Sequence, residues 1–405
     1  MNIENLKGKC VVLGITGGIA AYKMANVASA LRKAGADVNV IMTKNATEFI
    51  TPLTFETLTN NHVAVDTFEH DYKHDVEHIS LAKKADLMLI APATANVIAK
   101  MSHGIADDML TTVALAATCK KIVAPAMNTA MLENQITQDN IERLRSYGFE
   151  IIEPATGLLA CKDVGKGKLP EPEVLVEYVY KELAREKDLA GKHVTVTAGP
   201  TQEAIDPVRY ITNHSTGKMG YAIAREAMLR GADVTLISGQ VALEPVPFVN
   251  MVNVVSAKDM FEAVKAALPT TDILVKSAAV ADYRPSDVAE DKLKKKDEDM
   301  SIHLERTNDI LGYVAENRPK GIFVCGFSME TKDMLENSKA KLDKKKLDMI
   351  VANNINDVGA GFGVDTNKVS IITRDNILDI PLMTKEKLAN VILDNILKYK
   401  FERFS

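Results

Sequence analysis

Residues 9–43 read KCVVLGITGGIAAYKMANVASALRKAGADVNVIMT. The uninterrupted apolar run CVVLGI meets a glycine pair, then an amphipathic helical stretch, then a GAD turn into a second run, VNVIM. A strand that is apolar at successive positions, rather than at every second one, is covered on both faces, as in a parallel sheet between helix layers. Strand, glycine turn, helix, strand is the repeating unit of doubly wound α/β folds, whose ligands bind at the carboxyl ends of the strands. The glycine loop by itself decides nothing about a ligand. GITGGIAAYK has neither the GxGxxG spacing of a dinucleotide fold nor that of a P-loop, and a tight strand-to-helix turn can do without one.

The same opening returns later. KHVTVTAGP (192–200) and GKMGYAIAREAMLRGADVTLISG (217–239) repeat the order, with a long insertion after the first strand. ADLMLIAPA, KKIVAPAMN and EIIEP supply further strands in the first half, and DILVKSAA, GIFVCGFS and DMIVANN in the second. Between the halves, VEYVYKELAREKDLAGKH reads as a closing helix that runs into a charged linker near residues 184–191. The predicted organisation is α/β: two doubly wound, Rossmann-like parallel-sheet domains, at residues 1–186 and 191–405. Two glycine loops, each backed by polar strand ends, favour nucleotide-like ligands, because amides at a helix start favour phosphate.

Composition narrows the function classes. The 405 residues leave room for two or three domains, and 46 % hydrophobic with 25 % charged residues is an ordinary globular balance. A net charge of −5 argues against wholesale nucleic-acid binding. Cys10, Cys119, Cys161 and Cys325 fit no CxxC or metal-ligand spacing. The N-terminus lacks the build of a signal peptide, and LMLIAPATANVIA is broken by Pro92, so a cytoplasmic protein without a membrane partner is expected.

ACKDVGKGKLPEP (160–172) places Cys161 among glycines, lysines and prolines. That composition forbids a helix or a central strand and predicts a surface flap, an odd place for a thiol that usually sits in cores. Taken singly, His78 reads as a structural or surface histidine and Asn128 as a helix cap. Taken together, His78, the PATAN run, Asn128 within PAMN and Cys161 in its flap resemble the flavin-dependent cysteine decarboxylases, over roughly residues 8–180. These act on the C-terminal cysteine of a peptide or on 4′-phosphopantothenoylcysteine. The resemblance implies FMN as cofactor. In that family the substrate thiol is oxidised to a thioaldehyde, CO2 leaves, and the ene-thiolate is reduced and protonated. By motif, His78 would serve in the oxidative decarboxylation, Asn128 would orient the departing carboxylate, and Cys161 would donate the final proton. FMN contacts would come from Thr16, Gly17 and Gly18, from Thr43, and from Thr94 and Asn96 of PATAN. Lys162 and Lys168 stand where that family's flap carries Gly and Arg.

AGPTQEAIDPVRYITNHSTGKMG, SAAVADYRP, DKLKKK, TNDIL and GFSMET are similar to phosphopantothenate–cysteine ligases, from about residue 191 almost to the C-terminus. Joined in this order, the halves resemble the bifunctional bacterial enzymes of coenzyme A biosynthesis. The implied ligase uses CTP: the carboxylate of 4′-phosphopantothenate becomes an acyl-cytidylate, and the amine of cysteine displaces CMP. Lys292, with Lys294 and Lys295 beside it, would contact the triphosphate, and Lys341 and Lys345 would face the nucleotide. KLDKKKLD also reads as a solvated run balanced by Asp343 and Asp348. Asp282 is the expected Mg2+ anchor, or alternatively a ribose or base ligand. The resemblance puts Asn213 beside the acyl intermediate and Arg209 near the cysteine half-reaction; otherwise Arg209 pairs with Asp206 and Asn213 fills a turn. Asn308, Asp309 and Phe327 would line the nucleotide pocket, with Asn308 standing where proline is expected. The resemblance further implies a homo-oligomer built from trimers and dimers, a dodecamer.

Two other classes compete. A catalytically inactive flavin-binding regulatory protein should have lost His78, Asn128 or Cys161, and all three are present. An NAD(P)-dependent oxidoreductase predicts GxGxxG after a first strand, which neither glycine loop has.

Overall fold

The apolar runs form strands, and the glycine turns after them let the chain double back. The structure, a computed structural model, describes residues 5–68, 77–158, 164–294, 300–330, 334–354, 361 and 363–404. The chain divides into two compact units, Met1–Arg185 and Glu186–Ser405.

The first unit opens with β1 (Cys10–Ile15), α1 (Met24–Lys33), β2 (Asp37–Met42), α2 (Pro52–Thr59) and β3 (Val63–Ala64). It continues with α3 (Glu77–Lys84), β4 (Leu87–Ala93), α4 (Ala95–His103), α5 (Met109–Ala116) and β5 (Lys120–Pro125). Then come α6 (Thr129–Glu133), α7 (Gln135–Ser146), β6 (Glu150–Ile151), a hairpin of β7 (Ala155–Leu158) and β8 (Val164–Lys168), and α8 (Pro172–Leu183). The sheet runs β3-β2-β1-β4-β5-β6, parallel throughout, and its two edge strands are only two residues long. Every residue of β1 and β4 is buried. α1 turns Met24, Val27, Ala28 and Leu31 inward, at the spacing of one helical face. Burying each of the larger side chains contributes about 1.5–3 kcal/mol. The winding reverses between β1 and β4, which opens a crevice at their carboxyl ends.

Among the described residues the flap is neither helix nor central strand, as its composition requires, but it is more ordered than its glycines suggest. Its second half is a strand, β8, paired antiparallel to β7 in a sheet of their own. The glycines there serve close approach. Gly167 has φ +128°, and a Cβ on it would collide with the Met127 carbonyl oxygen. Gly167 O accepts from Met127 N (3.0 Å), and the Thr129 hydroxyl donates to Lys166 O (2.7 Å), so β8 lies flush on the turn after β5.

The second unit repeats the winding. β9 (His193–Ala198), the hairpin β10 (Gln202–Ala204) and β11 (Tyr210–Thr212), α9 (Lys218–Leu229), β12 (Asp233–Ser238) and β13 (Asn250–Asn253) come first. α10 (Ala257–Ala267), β14 (Ile273–Lys276), the pair β15 (Tyr283–Pro285) and β16 (Leu304–Arg306), α11 (Ile310–Asn317) and β17 (Phe323–Glu330) follow. α12 (Met334–Lys344), β18 (Met349–Asn354), β19 (Thr366–Ile372), β20 (Ile377–Thr384) and α13 (Lys385–Phe404) close the chain. The order is β13-β12-β9-β14-β17-β18-β19-β20, parallel as far as β18 and antiparallel for the last two, which the sequence reading had not identified as strands. Arg230, at the end of α9, is buried and pairs with Asp188 (2.5 Å) and with Asp394 of α13 (2.7 Å). Removing either carboxylate would leave that charge under-compensated.

Candidate active sites

The crevice of the first sheet is a cleft of ≈ 510 Å³. Gly17 and Gly18 from the turn after β1 and Thr94 from the end of β4 form one wall; Asn128 and Met131 form the other, and Leu158 and Lys168 of the hairpin border it. The turn is tight because Gly17 packs on the turn after β2: a Cβ there would lie 2.5 Å from that of Asn45. Thr16 is fully buried and clamps the crevice; its hydroxyl donates to Pro92 O (2.6 Å) and accepts from Thr94 N (3.0 Å). Thr94 also caps α4, accepting from Val97 N at 3.4 Å. Asn128 caps α6 through its Oδ1, which accepts from Ala130 N at 2.9 Å.

Thr43, at the end of β2, is buried, and its hydroxyl is the one buried side-chain polar atom among the described residues with no hydrogen-bond partner. An orphaned buried hydroxyl costs about 1–3 kcal/mol, a debt that a polar ligand atom removes. The orphan lies beside the crevice and not in its lining, so the fit to a flavin rests on the cleft itself, an apolar lining with a few polar groups. Lys23 and Lys168 also line the cleft, and both hold Glu171, at 2.9 and 3.2 Å. Those contacts, Lys23 first, keep the Glu171 carboxyl below its usual range. Lys23 was not singled out in the sequence, where nothing ties it to Glu171. His78 is half-buried on α3 and Asn96 is exposed on α4; neither lines this cleft, nor does Thr43. Cys161 and Lys162 lie outside the described residues.

The second sheet has its cleft, of ≈ 260 Å³, at the corresponding reversal beside β9 and β14. The N-terminus of α9, entered through Gly217, faces it, and four lysines line it: Lys218, Lys276, Lys341 and Lys385. Lys218 is spent on Asp365 (2.6 Å) and Gly363 O (3.1 Å), and Lys385 on Gly361 O (3.0 Å) and Val364 O (2.6 Å). Lys341 donates to Phe327 O at 2.9 Å. Lys276, at the end of β14, has no hydrogen-bond or ion-pair partner among the described residues. Burial, aided by the Lys341 charge, lowers its ammonium pKa to about 8. Burial, aided by Lys218, does the same to Lys385, again to about 8. Helix amides and ammonium groups around one small cleft make an anion site.

Of the residues expected here, Asp282, Phe327 and Lys341 line the cleft, and Asp282 is the carboxylate on its wall. Asn213 stands next to it, with Nδ2 donating to Ala279 O at 3.1 Å. Lys345 forms an ion pair with Asp309, whose Oδ1 caps α11 through Gly312 N (2.9 Å). Their charges reach Lys276, but neither residue lines the cleft. Arg209 is clasped by Asp206, with Nε at 3.0 Å and a terminal nitrogen at 2.5 Å, and that contact holds the Asp206 carboxyl far below its usual range. Lys292, Lys294 and Asn308 are exposed and line no part of this cleft, and Lys295 lies outside the described residues. Lys218, Lys276 and Lys385 went unread in the sequence, since no motif links a strand end to two helix starts so far apart along the chain. No group of three or more His, Cys, Asp or Glu side chains able to hold a metal occurs among the described residues. No described helix is long and apolar enough to cross a membrane.

Comparison with known proteins covers both units. The Flavoprotein family matches residues 2–184, and the DNA/pantothenate metabolism flavoprotein C-terminal domain matches residues 189–399. The chain is 48 % identical over 395 residues to the coenzyme A biosynthesis bifunctional protein CoaBC of Bacillus subtilis (strain 168), covering 96 % of this chain and 97 % of that one. It is 41 % identical over 395 residues to the protein of the same name from Escherichia coli (strain K12), covering 97 % of each. Among solved structures, the C-terminal domain of a CoaBC protein is 43 % identical and covers 51 % of this chain and 95 % of its own, with a TM-score of 0.44. The FMN-dependent cysteine decarboxylase SpaF is 31 % identical and covers 43 % of this chain and 99 % of its own, with a TM-score of 0.38.

Proposed function

The chain belongs to the family of coenzyme A biosynthesis bifunctional proteins, and from that membership we propose how its two clefts divide the work. The protein is a two-activity enzyme, a flavoprotein decarboxylase in its first unit and a ligase in its second. In our reading the ligase unit joins 4′-phosphopantothenate to cysteine at the expense of CTP, and the decarboxylase unit converts the product to 4′-phosphopantetheine. The observation that carries this division is the contrast between the clefts. They sit at equivalent reversals of two similarly wound sheets, one largely apolar with a carboxamide and two lysines tied to Glu171, the other ringed by four lysines with one carboxylate.

In the ligase cleft, Lys276, Lys341 and the α9 amides would take the phosphate charge as the carboxylate attacks and pyrophosphate leaves. Asp282 alone is too little for an all-protein metal cage. It suits Mg2+, which is commonly held by one or two carboxylates together with substrate phosphates. Asn213, tied to the cleft wall, would stand beside the acyl-cytidylate, and Arg209 would act through the loop it orders with Asp206. Lys292, Lys294, Lys295, Lys345, Asn308 and Asp309 would close on the nucleotide from outside the cleft, with Phe327 inside it.

In the decarboxylase unit, Gly17, Gly18 and Thr94 would hold FMN from the cleft wall and Thr43 and Asn96 from outside its lining, with Thr16 bracing the turn. Bound FMN supplies two-electron chemistry at the substrate thiol. The rest falls to the chain. Asn128 would orient the carboxylate without the strong stabilisation a cation would give the group that must leave. Cys161 would deliver the last proton from the hairpin, which also excludes water. His78 does not line this cleft, so we assign its contribution to the assembled oligomer, in which trimers and dimers combine into a dodecamer.

Mass spectrometry of a reaction containing 4′-phosphopantothenate, cysteine, Mg2+ and either CTP or ATP tests this reading. Wild type should form 4′-phosphopantetheine with CTP, and Cys161→Ser should accumulate the oxidised ene-thiol product. No nucleotide-dependent product and no CO2 loss would leave the regulatory flavoprotein as the better reading.

A further inference from the structure

We propose that a cavity at the opposite end of the first sheet's strands, walled by Lys121, Arg143, His103, Tyr147 and Phe149, is a second ligand site, for a small amphipathic anion: a phosphate or carboxylate carried on an apolar body. The cavity measures ≈ 490 Å³, within the range of small-molecule pockets, and shares no lining residue with the cleft at Asn128. It lies where α4 and α7 end and β5 begins, whereas the cleft lies where α4 begins and β5 ends.

What its walls leave unspent defines the ligand. The Ser102 and Thr111 hydroxyls are committed, donating to Asn140 Oδ1 and Asp108 Oδ1, each at 2.8 Å. His103 Nδ1 lies 2.9 Å from Ala99 O, which commits that nitrogen and leaves Nε2. Lys121 is fixed in place: Nζ donates to Ala117 O at 2.5 Å and stands 5.4 Å from the centroid of the Phe149 ring. It thereby covers the Ala117 carbonyl at the end of α5, which would otherwise repel an anion. The Arg143 guanidinium has no partner among the described residues, and no carboxylate lines the cavity. An idle guanidinium offers a planar, two-pronged site for an oxyanion. The remaining walls, Met101, Leu115, Tyr147 and Phe149 among them, offer apolar surface. An occupant would bear on α4 and β5, the two elements that carry Thr94 and lead to Asn128.

The chain has no tryptophan, and Tyr147 is 63 % exposed, so Tyr147→Trp installs a single local reporter at small structural risk. Titrating the full chain with phenyl phosphate should change its emission saturably. Adding Arg143→Gln in that background should weaken the apparent affinity about tenfold or more. Inorganic phosphate and benzyl alcohol, each carrying half of the probe's chemistry, should both bind far more weakly. An emission that never saturates, or an affinity indifferent to Arg143→Gln, overturns the proposal. Hydrogen exchange on the unmutated chain gives a readout independent of the reporter. Phenyl phosphate should slow exchange at residues 101–105, and unchanged exchange there overturns the proposal equally.

Discussion

Asn128 does two jobs with one carboxamide: its oxygen caps α6, and in the proposed chemistry the group also orients a carboxylate. The substitution Asn128→Asp separates the two. An aspartate caps a helix as well as an asparagine, so thermal stability should hold within about 0.5 kcal/mol. Its negative charge against a substrate carboxylate should lower the decarboxylation rate about a hundredfold or more while leaving ligation untouched, as a coupled assay would show. Lys276 presents the opposite bargain. Its ammonium pKa falls from 10.5 to about 8 on folding, so between those values the unfolded chain binds the extra proton and stability rises with pH. Below pH 8 the full penalty of holding a buried charge is present. Lys276→Met should therefore raise the melting temperature of the ligand-free protein at pH 7 by a few degrees. That corresponds to about 2 kcal/mol after allowance for solvent, and the advantage should fade as the pH approaches 10.5. The same variant should lose ligation and keep decarboxylation. A melting temperature that falls at pH 7 would mean that the ammonium is better compensated than its surroundings indicate. Asn128 was legible because it sits in a recognisable run, PAMN; Lys276 was not, because it reads as the last residue of an apolar strand and becomes a site only when Lys341 folds in beside it.

The hairpin is the element whose sequence left most open. Glycine density in VGKGK excludes a helix or a central strand without showing why the glycines are there, and their physical cause is contact, since β8 lies against the backbone of residues 127–129. Gly167→Ala meets both a positive φ and the Met127 carbonyl oxygen, so it should destabilise the first unit by about 2–4 kcal/mol. Limited proteolysis should show faster cutting between β7 and β8; an unchanged rate would mean that the strand is not seated as described. The parallel strands were legible because strands buried on both faces are written as continuous apolar runs. β19 and β20 were not, because ILDIPLMT mixes exposed and buried positions and contains a proline, which reads as a turn. Only pairing with β18, itself set by the rest of the sheet, makes a strand of β19.

At the scale of the whole molecule, the repeated strand–glycine–helix opening was enough to read two sheets wound in the same sense. The clefts followed from the reversals, but their contents did not, since a cleft is furnished by residues brought together from distant segments. Each unit carries its own core, so separate chains of residues 1–185 and 186–405 should each unfold cooperatively in calorimetry. A piece that melts without a transition would show that its core depends on the other. The short edges of the first sheet have a consequence beyond catalysis. β3 and β6 are two residues long each, and β3 is buried, which leaves too little strand for a stranger's backbone to copy. In the second sheet the long outer strand β20 carries Pro381, which has no amide hydrogen to offer, and Asp379, whose carboxylate is taken up by Ser370. Edges built in this way give a neighbouring chain little to pair with, so they disfavour edge-to-edge aggregation.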